Sequence, residues 1–429
     1  MRRPPLALLL VPLLLAGCFG GGDGGDEEDE APAPALALDC SVAPGPNLSW
    51  WPEPCLALAS LNPSTAKPEV DIAVNPTDPR NIVVASKDKD PLASDGCVWS
   101  VAQVTKDGGR TWTTVYVGGD RAHRVPETQG YECVTDPIMV FDKDGGFYYA
   151  LQIYDHTPRG NLAADCPTPV PVVGCPTVPD TGSAFILARS QDGGLTFDRY
   201  VVQAQGAGDL LFHDYPRMLV NPRTQAVHTI WNAYIGTGPA ATVRPVVSST
   251  YDGGWNVEAP LVLGRADDPA ANLAFFSGFA ATKEGEILVT MQKDEDSDGG
   301  ATTAVWLWKS TDDARTFSEV GHAFDIEPTP RQHGNHSFRT PSFVEMAIDA
   351  SEGNRSGRIY TFWTDDRFDV SDVLSSYSDD GVTWSPPAQV ASATAGGQYF
   401  MRPRVGPDGR VFVLFATQAY SGPELLDQA

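Results

Sequence analysis

The sequence predicts an all-β protein, a six-bladed β-propeller of four-stranded antiparallel blades, with the last blade completed by the N-terminal segment. Three observations lead to this fold class. Glycine and proline are frequent, with 41 and 36 among 429 residues, and they separate short apolar runs, as is typical of turn-rich β-proteins. A turn motif built on Asp and Gly recurs along the chain. Six pairs of strand-like segments recur at similar distances from that motif.

The turn motif has the pattern S/T-x-D-x-G-x-T-W/F. Two copies match it fully, and three depart from it; the fifth copy has Tyr377 at the first position. The aspartates of the five copies are Asp107, Asp192, Asp252, Asp312 and Asp379. In such a turn the carboxylate accepts bonds from backbone N–H groups, the glycine adopts positive φ, and the threonine begins the returning strand. The motif therefore predicts the last hairpin of each blade.

The strand pairs begin the six blades and should form their inner strands. These pairs open near the following residues: Glu69, Pro137, Pro216, Gly278, Phe343 and Pro403. The chain ends 26 residues after Pro403, which is too few for a complete blade. We expect residues 40–65 to supply the outer strands of this blade, because an open sheet edge promotes aggregation. An imperfect ring or a truncated gene product is the alternative.

The N-terminus has the pattern of an export signal. Arg2 and Arg3 precede the apolar run from Leu6 to Leu15, which is too short to span a bilayer. The run ends in Leu15-Ala16-Gly17-Cys18, which resembles the lipobox of prokaryotic lipoproteins and so implies lipidation of Cys18. An ordinary cleavage site that contains a cysteine is the alternative.

The chain therefore divides into three predicted parts. Residues 1–18 form a lipoprotein signal peptide, and residues 19–38 form an acidic, Pro/Ala-rich tether that has no means to bury a core. Residues 39–429 form the propeller. The predicted location is outside the cytoplasm, with the chain anchored to the cell membrane or envelope by its lipid.

Six cysteines remain besides Cys18, and an even number outside the cytoplasm favours disulfides. Cys166 and Cys175 are the favoured pair because they would close one Pro-rich loop. By proximity, two further pairs are expected: Cys40 with Cys55, and Cys97 with Cys133. A zinc site is the alternative, but no CxxC pair or histidine spacing supports it.

The formal net charge of −25 argues against nucleic acid as a partner, because an acidic surface repels phosphate. A calcium loop is only weakly indicated. Asp294, Asp296 and Asp298 have the right spacing, but Val305 stands where the closing glutamate is needed. A solvated acidic hairpin is the favoured interpretation. We expect no cofactor, with calcium at most structural, and a monomer.

The repeated turn resembles the Asp box, or BNR repeat, of sialidase-like propellers, and this resemblance covers about residues 66–429. It implies that the turn aspartates are structural and lie on the face opposite the active site. It also implies that the first strand of each blade lines the central channel. The residues that open the blades are therefore the candidates for a functional site.

Arginine, aspartate and tyrosine recur at these opening positions. A sialidase needs three arginines for the substrate carboxylate, a tyrosine nucleophile activated by glutamate, and an aspartate as general acid. The candidates are Arg217, Arg339, Arg402 and Arg404 for the clamp, Tyr215 and Tyr399 for the nucleophile, and Asp136 and Asp214 for the acid. Glu345 is expected to be a poor base because it lies inside a buried strand.

The chain also departs from the sialidase pattern. Catalytic sialidases open the first blade with Phe/Tyr-Arg-Ile-Pro, whereas this chain has Pro68-Glu69-Val70-Asp71-Ile72 there, without an arginine. A similar segment, Tyr215-Pro216-Arg217-Met218, opens the third blade instead. Ion pairs that hold the blades together are the alternative explanation of the arginines.

Three functions remain open. A surface-anchored propeller that recognises glycans, with exo-alpha-sialidase activity if it is an enzyme, predicts an arginine-lined pocket with a tyrosine and an acid within reach. A non-catalytic propeller that binds a glycan or a surface protein predicts arginines already paired to aspartate and no Tyr–Glu pair. An envelope-assembly scaffold predicts an exposed apolar patch on the rim. The missing arginine of the first blade favours binding over sialidase chemistry.

Overall fold

The computed structural model describes residues 69–88, 99–118, 133–154, 183–206, 211–235, 242–264, 275–292, 303–329, 340–368, 370–391, 396–418 and 427–428. All regular structure in these ranges is β-strand. None of the described residues belongs to a helix long and apolar enough to cross a membrane. The predictions for residues 1–68, including Cys18, lie outside the described residues, as do Arg339, Asp294, Asp296 and Asp298.

The strands form six antiparallel sheets that follow one another along the chain. Sheet 1 contains β1 (Asp71–Val74), β2 (Ile82–Asp88), β3 (Trp99–Thr105) and β4 (Thr113–Tyr116). Sheet 2 contains β5 (Cys133–Phe141), β6 (Phe147–Tyr154), β7 (Ser183–Ser190) and β8 (Arg199–Gln205). Sheet 3 contains β9 (Leu211–Val220), β10 (Val227–Ile235), β11 (Thr242–Thr250) and β12 (Leu261–Val262).

Sheet 4 contains β13 (Phe275–Ala281), β14 (Ile287–Gln292), β15 (Thr303–Ser310) and β16 (Ser318–Ile326). Sheet 5 contains β17 (Glu345–Ile348), β18 (Ile359–Asp365), β19 (Asp372–Ser378) and β20 (Ala388–Gln389). Sheet 6 contains β21 (Gln398–Val405), β22 (Val411–Thr417) and β23 (Asp427–Gln428), so its third strand comes from the C-terminal end of the chain. A fourth strand from residues 40–65 stays a prediction, since those residues are not described.

The inner strands of sheets 2 to 5 are apolar on both sides because each of these sheets packs against two neighbours. In β6, Phe147, Tyr149 and Leu151 pack in one cluster with residues of sheet 1. Tyr148 and Ala150, which point the opposite way, pack in another cluster with residues of sheet 3. A strand that buries both faces reads as a continuous apolar run and not as an alternating one. This explains why the sequence of β6 is apolar apart from Gln152.

The first strands of successive sheets contact one another in order: β1 with β5, β5 with β9, β9 with β13, β13 with β17, and β17 with β21. Asp71 of β1 also interacts electrostatically with Arg402 and Arg404 of β21. The first and last sheets therefore approach each other through their first strands. This is the order of contacts that a propeller predicts.

The predicted turns lie between the third and fourth strands of sheets 1 to 5. In the first turn, Asp107 Oδ1 accepts bonds from the backbone N–H groups of Arg110 and Thr111, both at 2.9 Å. Its Oδ2 accepts the hydroxyl of Thr111 at 2.7 Å. Equivalent bonds are made by the carboxylates of Asp192, Asp252 and Asp312. Each carboxylate thus closes its hairpin by satisfying donors of the returning strand.

The fifth turn corrects the sequence prediction. The carboxylate that accepts backbone bonds there is Asp380, from Val382 at 2.8 Å and Thr383 at 2.7 Å. Asp379, the predicted residue, instead accepts two bonds from the Arg358 guanidinium, at 2.7 and 2.8 Å. The turn is one residue shorter than the others, because the first position is taken by Ser378 and not by Tyr377.

This correction leads to a test by substitution. We expect Asp380→Ala to lower the melting temperature more than Asp379→Ala, because only Asp380 satisfies backbone donors, whereas the pair of Asp379 with Arg358 is a surface ion pair of small net effect. Differential scanning calorimetry of the two variants gives the comparison. Equal melting temperatures would show that the fifth hairpin does not depend on this carboxylate.

Candidate functional site

Irregular backbone marks the beginning of several first strands. The pairing of β5, β9 and β21 with their second strands shifts register near Asp136, Tyr215 and Phe400. These three residues have φ of 49°, 58° and 56°, and Glu69, just before β1, has φ of 57°. Such values are unfavourable for residues other than glycine, and bulges of this kind re-aim side chains. Non-glycine residues in this conformation cluster at functional sites.

Three first strands, β9, β17 and β21, bring together a group of charged and polar residues, which we call the arginine site: Tyr215, Arg217, Glu345, Arg402 and Arg404. Arg217 Nη2 donates to Glu345 Oε1 at 2.6 Å, and Arg402 Nη1 donates to the same oxygen. Arg217 Nη2 also donates to the Tyr215 hydroxyl at 2.6 Å. The Tyr215 hydroxyl in turn lies 3.4 Å from Glu345 Oε1. A single carboxylate oxygen is therefore the centre of the site.

The arginines differ in their exposure. The side chain of Arg217 is 17% exposed and that of Glu345 is 11% exposed, whereas that of Arg402 is 49% exposed. Arg404 is also exposed, and its Nη1 donates to the carbonyl oxygen of Pro403 at 2.9 Å. Among the described residues, Arg404 forms no salt bridge. Arg402 and Arg404 therefore offer guanidinium groups to solvent beside a buried ion pair.

The ionisation of Glu345 and Tyr215 depends on burial and on the neighbouring arginines. Burial alone would raise the pKa of Glu345, but Arg217 and Arg402 outweigh this effect and lower it. Burial raises the pKa of the Tyr215 hydroxyl. The Tyr215 ring is enclosed by Phe343 at 4.4 Å and Phe275 at 5.2 Å between ring centroids. Glu345 is thus an ionised, weak base, and Tyr215 is a neutral phenol.

A second group, the carboxyl cluster, consists of Glu69, Asp136 and Asp214 with Lys87. Lys87 Nζ lies 2.5 Å from Glu69 Oε2 and 2.8 Å from Asp136 Oδ1. Asp136 also shares hydrogen bonds with the carboxyl groups of Glu69 and Asp214. Since Asp214 precedes Tyr215 in the chain, the two groups of residues are neighbours on β9.

The carboxyl cluster separates the pKa values of its members. Burial, with the hydrogen bond to Asp136 and its charge, raises the pKa of Glu69 to about 8. Burial and the charge of Asp136 also raise the pKa of Asp214. Burial opposes ionisation of Asp136, but the bond from Glu69 and the charge of Lys87 lower its pKa. Near neutral pH, Asp136 is ionised while Glu69 holds a proton, which suits Glu69 as a proton donor.

The carboxyl cluster should make stability depend on pH. The ordinary pKa of Glu69 is 4.5 and its pKa in the fold is about 8, so the folded chain binds more protons than the unfolded chain between these values. This contribution is complete below pH 4.5 and is lost as the pH rises through 8. We expect the melting temperature to fall over this range, and Glu69→Gln to make the fall shallower. Glu319→Gln, at an exposed residue of β16, is the control and should leave the slope unchanged.

The structure brings six of the predicted residues into these two groups. Asp136 and Asp214 lie in the carboxyl cluster, and Tyr215, Arg217, Arg402 and Arg404 lie in the arginine site. Tyr399 lies elsewhere, buried and hydrogen-bonded to Ser371. Cys133 is fully buried at the beginning of β5, and the disulfide pairings stay predictions.

Two functional residues were misjudged or missed by the sequence analysis. Glu345 is the first residue of β17 and not an interior one, and it is the partner of two arginines. Lys87 was not considered, although a lysine near the end of the apolar run of β2 is an available signal. Within the described ranges, no group of three or more His, Cys, Asp or Glu side chains is arranged to hold a metal ion.

Comparison with known proteins concerns the fold. No family model and no curated protein matches this sequence. A solved structure of a protein of unknown function from Dyadobacter fermentans is similar with a TM-score of 0.50 at 15% identity, over 86% of this chain and 94% of that chain. The NanB sialidase from Streptococcus pneumoniae is similar with a TM-score of 0.50 at 10% identity, over 83% of this chain and 66% of that chain.

A Penicillium chrysogenum alpha-L-arabinanase complexed with arabinobiose has a TM-score of 0.48 at 13% identity, over 85% of this chain and 91% of that chain. At such identities a structural likeness concerns architecture and not activity. The solved structures that reach a TM-score of 0.50 include a sialidase. Their similarity to this chain agrees with the order of its six sheets. The fold of this chain is therefore similar to that of sialidase-like propellers.

Proposed function

We propose that this chain is a six-bladed propeller, completed by its N-terminal residues, that binds an acidic glycan at the arginine site. One observation carries the proposal: Arg402 and Arg404 are exposed beside the buried pair of Arg217 and Glu345. Guanidinium groups bind carboxylate through two parallel hydrogen bonds, which gives both strength and orientation. A carboxylate-bearing sugar matches this chemistry.

The local charge supports an anionic ligand. The whole chain has a formal net charge of −25. Among the described residues of the arginine site, however, the three arginines interact electrostatically with two carboxylates, those of Asp71 and Glu345. Burial also opposes the ionisation of Asp71 and raises its pKa. A positive site on an acidic protein concentrates small anions at that point.

The sugar ring has apolar surface available beside the arginines. Phe400, next to Met401 and Arg402 in β21, is 42% exposed. Ligand sites combine such apolar surface with a few placed polar groups. The sialidase and arabinanase with similar folds act on sugars, as their names state.

A glycan array tests the proposal. The soluble domain should bind carboxylate-bearing glycans, and the double variant Arg402→Ala/Arg404→Ala should lose at least about tenfold in affinity, since charge-assisted hydrogen bonds contribute about 1.5–3 kcal/mol each. Arg410→Ala is the matched control, because Arg410 is 79% exposed in the turn between β21 and β22, and its salt bridge among the described residues is with Asp408. Absence of binding, or equal binding of neutral glycans, would reject the proposal.

Hydrolysis of the sialidase type is the second candidate. It is favoured by the contact of Tyr215 with Glu345 and by the raised pKa values of the Glu69 and Asp214 carboxyl groups. The lowered pKa of Glu345 opposes it, because a weak base does not activate a phenol. A fluorogenic sialoside decides between the two functions. Turnover that is abolished in Tyr215→Phe while binding persists would support the enzyme; binding without turnover would support recognition alone.

The same proposal places the domain at the cell surface. Its support is the sequence around Cys18 and the tether that follows it. We expect the chain to incorporate a labelled fatty acid when it is expressed in a bacterium, and Cys18→Ser to abolish the labelling. A soluble, unlabelled native chain would reject the anchor without affecting the glycan proposal.

A further inference from the structure

We propose that Glu345 competes with the ligand for Arg402: its carboxylate holds this guanidinium in the free protein and releases it to the anionic group of a bound sugar. The inference rests on the proposed function, because it concerns the affinity of the same site. It makes Glu345 a specificity-determining residue and not a simple structural partner of the arginines.

The geometry indicates which arginine is able to leave. Glu345 Oε1 accepts from Arg217 and Arg402 and is also contacted by the Tyr215 hydroxyl, so three donors share one oxygen. Arg217 is 17% exposed and would become an unpaired buried charge on leaving, whereas Arg402 is 49% exposed and regains solvent. Glu345 is therefore expected to keep Arg217 and release Arg402.

Arg404 provides an internal comparison. Arg402 and Arg404 are two residues apart on β21, so both point to the same face of the strand. Arg404 forms no salt bridge among the residues that the structure describes, whereas Arg402 donates to Glu345. An anion that approaches the two arginines thus meets one available guanidinium and one that is held by an ionised carboxylate.

The competition lowers affinity in two ways. A bond between Arg402 and Glu345 must break before Arg402 binds the ligand. The negative charge of Glu345 also repels the incoming anion across a partly buried space, where charges are weakly screened. Removal of this charge should therefore strengthen the binding of acidic sugars and leave the binding of neutral sugars unchanged.

Isothermal titration of the folded domain with 3′-sialyllactose, and with lactose as its uncharged counterpart, tests the inference. We expect Glu345→Gln to raise the affinity for 3′-sialyllactose by about 5- to 20-fold, within the usual range of coupling between sites. In the Arg402→Ala background the same change should give a smaller increase, since the competing bond is gone and only the repulsion between Glu345 and the anion is relieved. Asp408→Asn, which removes a charge from an exposed pair in the same sheet, is the control.

A second comparison leaves Glu345 intact, so it is independent of any loss of folding in Glu345→Gln. Because part of the binding strength of Arg402 is offset by the bond it must break, Arg402→Ala should lose less affinity than Arg404→Ala. An equal or larger loss in Arg402→Ala would overturn the inference. The inference would also be overturned if the native domain bound 3′-sialyllactose and Glu345→Gln left this affinity unchanged or lowered it. In that case the proposed function survives. Absence of binding in the native domain and in Glu345→Gln would overturn both this inference and the proposed function.

Discussion

Replacing Arg217 with methionine should lower the free energy of unfolding by about 3 kcal/mol, as measured by urea denaturation at neutral pH. Arg217 is 17% exposed and Glu345 is 11% exposed, so the substitution removes the more buried of the two arginine partners of a buried carboxylate. The Tyr215 hydroxyl loses a donor at the same time. Arg402 still bonds to Glu345, which places the loss at the lower end of the range for broken buried pairs, about 3–5 kcal/mol.

The matched control for this substitution is Arg410→Met. Arg410 is 79% exposed and its partner Asp408 is 56% exposed, at 3.4 Å. Its replacement should change the free energy of unfolding by at most about 0.5 kcal/mol, as for most surface substitutions. If the two variants lost the same stability, the ion pair of Arg217 with Glu345 would not be a structural element of the site.

The pH gives an independent check of the same prediction. Without Arg217, the pKa of Glu345 in the fold should rise, because burial is then opposed only by Arg402 and the more distant Arg404. The folded variant would bind a proton more readily than the native chain does. The difference in stability between the variant and the native chain should therefore shrink as the pH falls, and a constant difference would contradict the electrostatic explanation.

The turns were the part of the fold that the sequence specified best, because all their determinants are local. Asp107, Asp192, Asp252 and Asp312 lie within four residues of the donors they satisfy. The prediction for the fifth turn was wrong because Asp379 and Asp380 are adjacent. This turn is one residue shorter than the others, so either aspartate was a candidate. Only the hydrogen bonds of the folded hairpin distinguish them.

The sequence indicated which strands carry the candidate site, but not which of its side chains pair with one another. The rule that first strands line the channel selected Asp136, Asp214 and Arg217, which the fold brings into the carboxyl cluster and the arginine site. The partner of Arg217 is 128 residues away, and no spacing in the sequence encodes that distance. Glu345 was expected to lie inside a buried strand, whereas it is the first residue of β17. In a strand covered by neighbours, residue type alone does not show whether a side chain faces the core or the central strands.

Trp231→Ala is the substitution for which we expect the largest loss of stability. Trp231 of β10 is fully buried, and its ring stacks on Phe185 of the neighbouring sheet with centroids 4.9 Å apart. Its Nε1 donates to Nδ1 of His213 at 3.0 Å. Loss of the ring should lower the free energy of unfolding by about 3–5 kcal/mol through the cavity that it leaves. Trp231→Phe would keep most of the packing and isolate the contribution of the hydrogen bond.

Trp255→Ala is the control in the same sheet. Trp255 is 47% exposed in the turn before β12, and it contacts the Arg189 guanidinium at 4.9 Å from its ring centroid. Its loss should cost about 0.5–1 kcal/mol, the usual strength of an exposed cation–π contact. Similar losses for the two tryptophans would show that the interface between sheets 2 and 3 is not a principal core of the fold.

We expect the six sheets to unfold in a single transition. Because Trp231 belongs to a cluster that joins sheet 2 to sheet 3, and other clusters join sheets 1 to 2, 3 to 4 and onward, the sheets share their cores. A loss at one interface should therefore lower the midpoint of a single transition and not create a separate early one. A separate transition in Trp231→Ala would mean that each sheet is stable without its neighbours, which their shared apolar faces argue against.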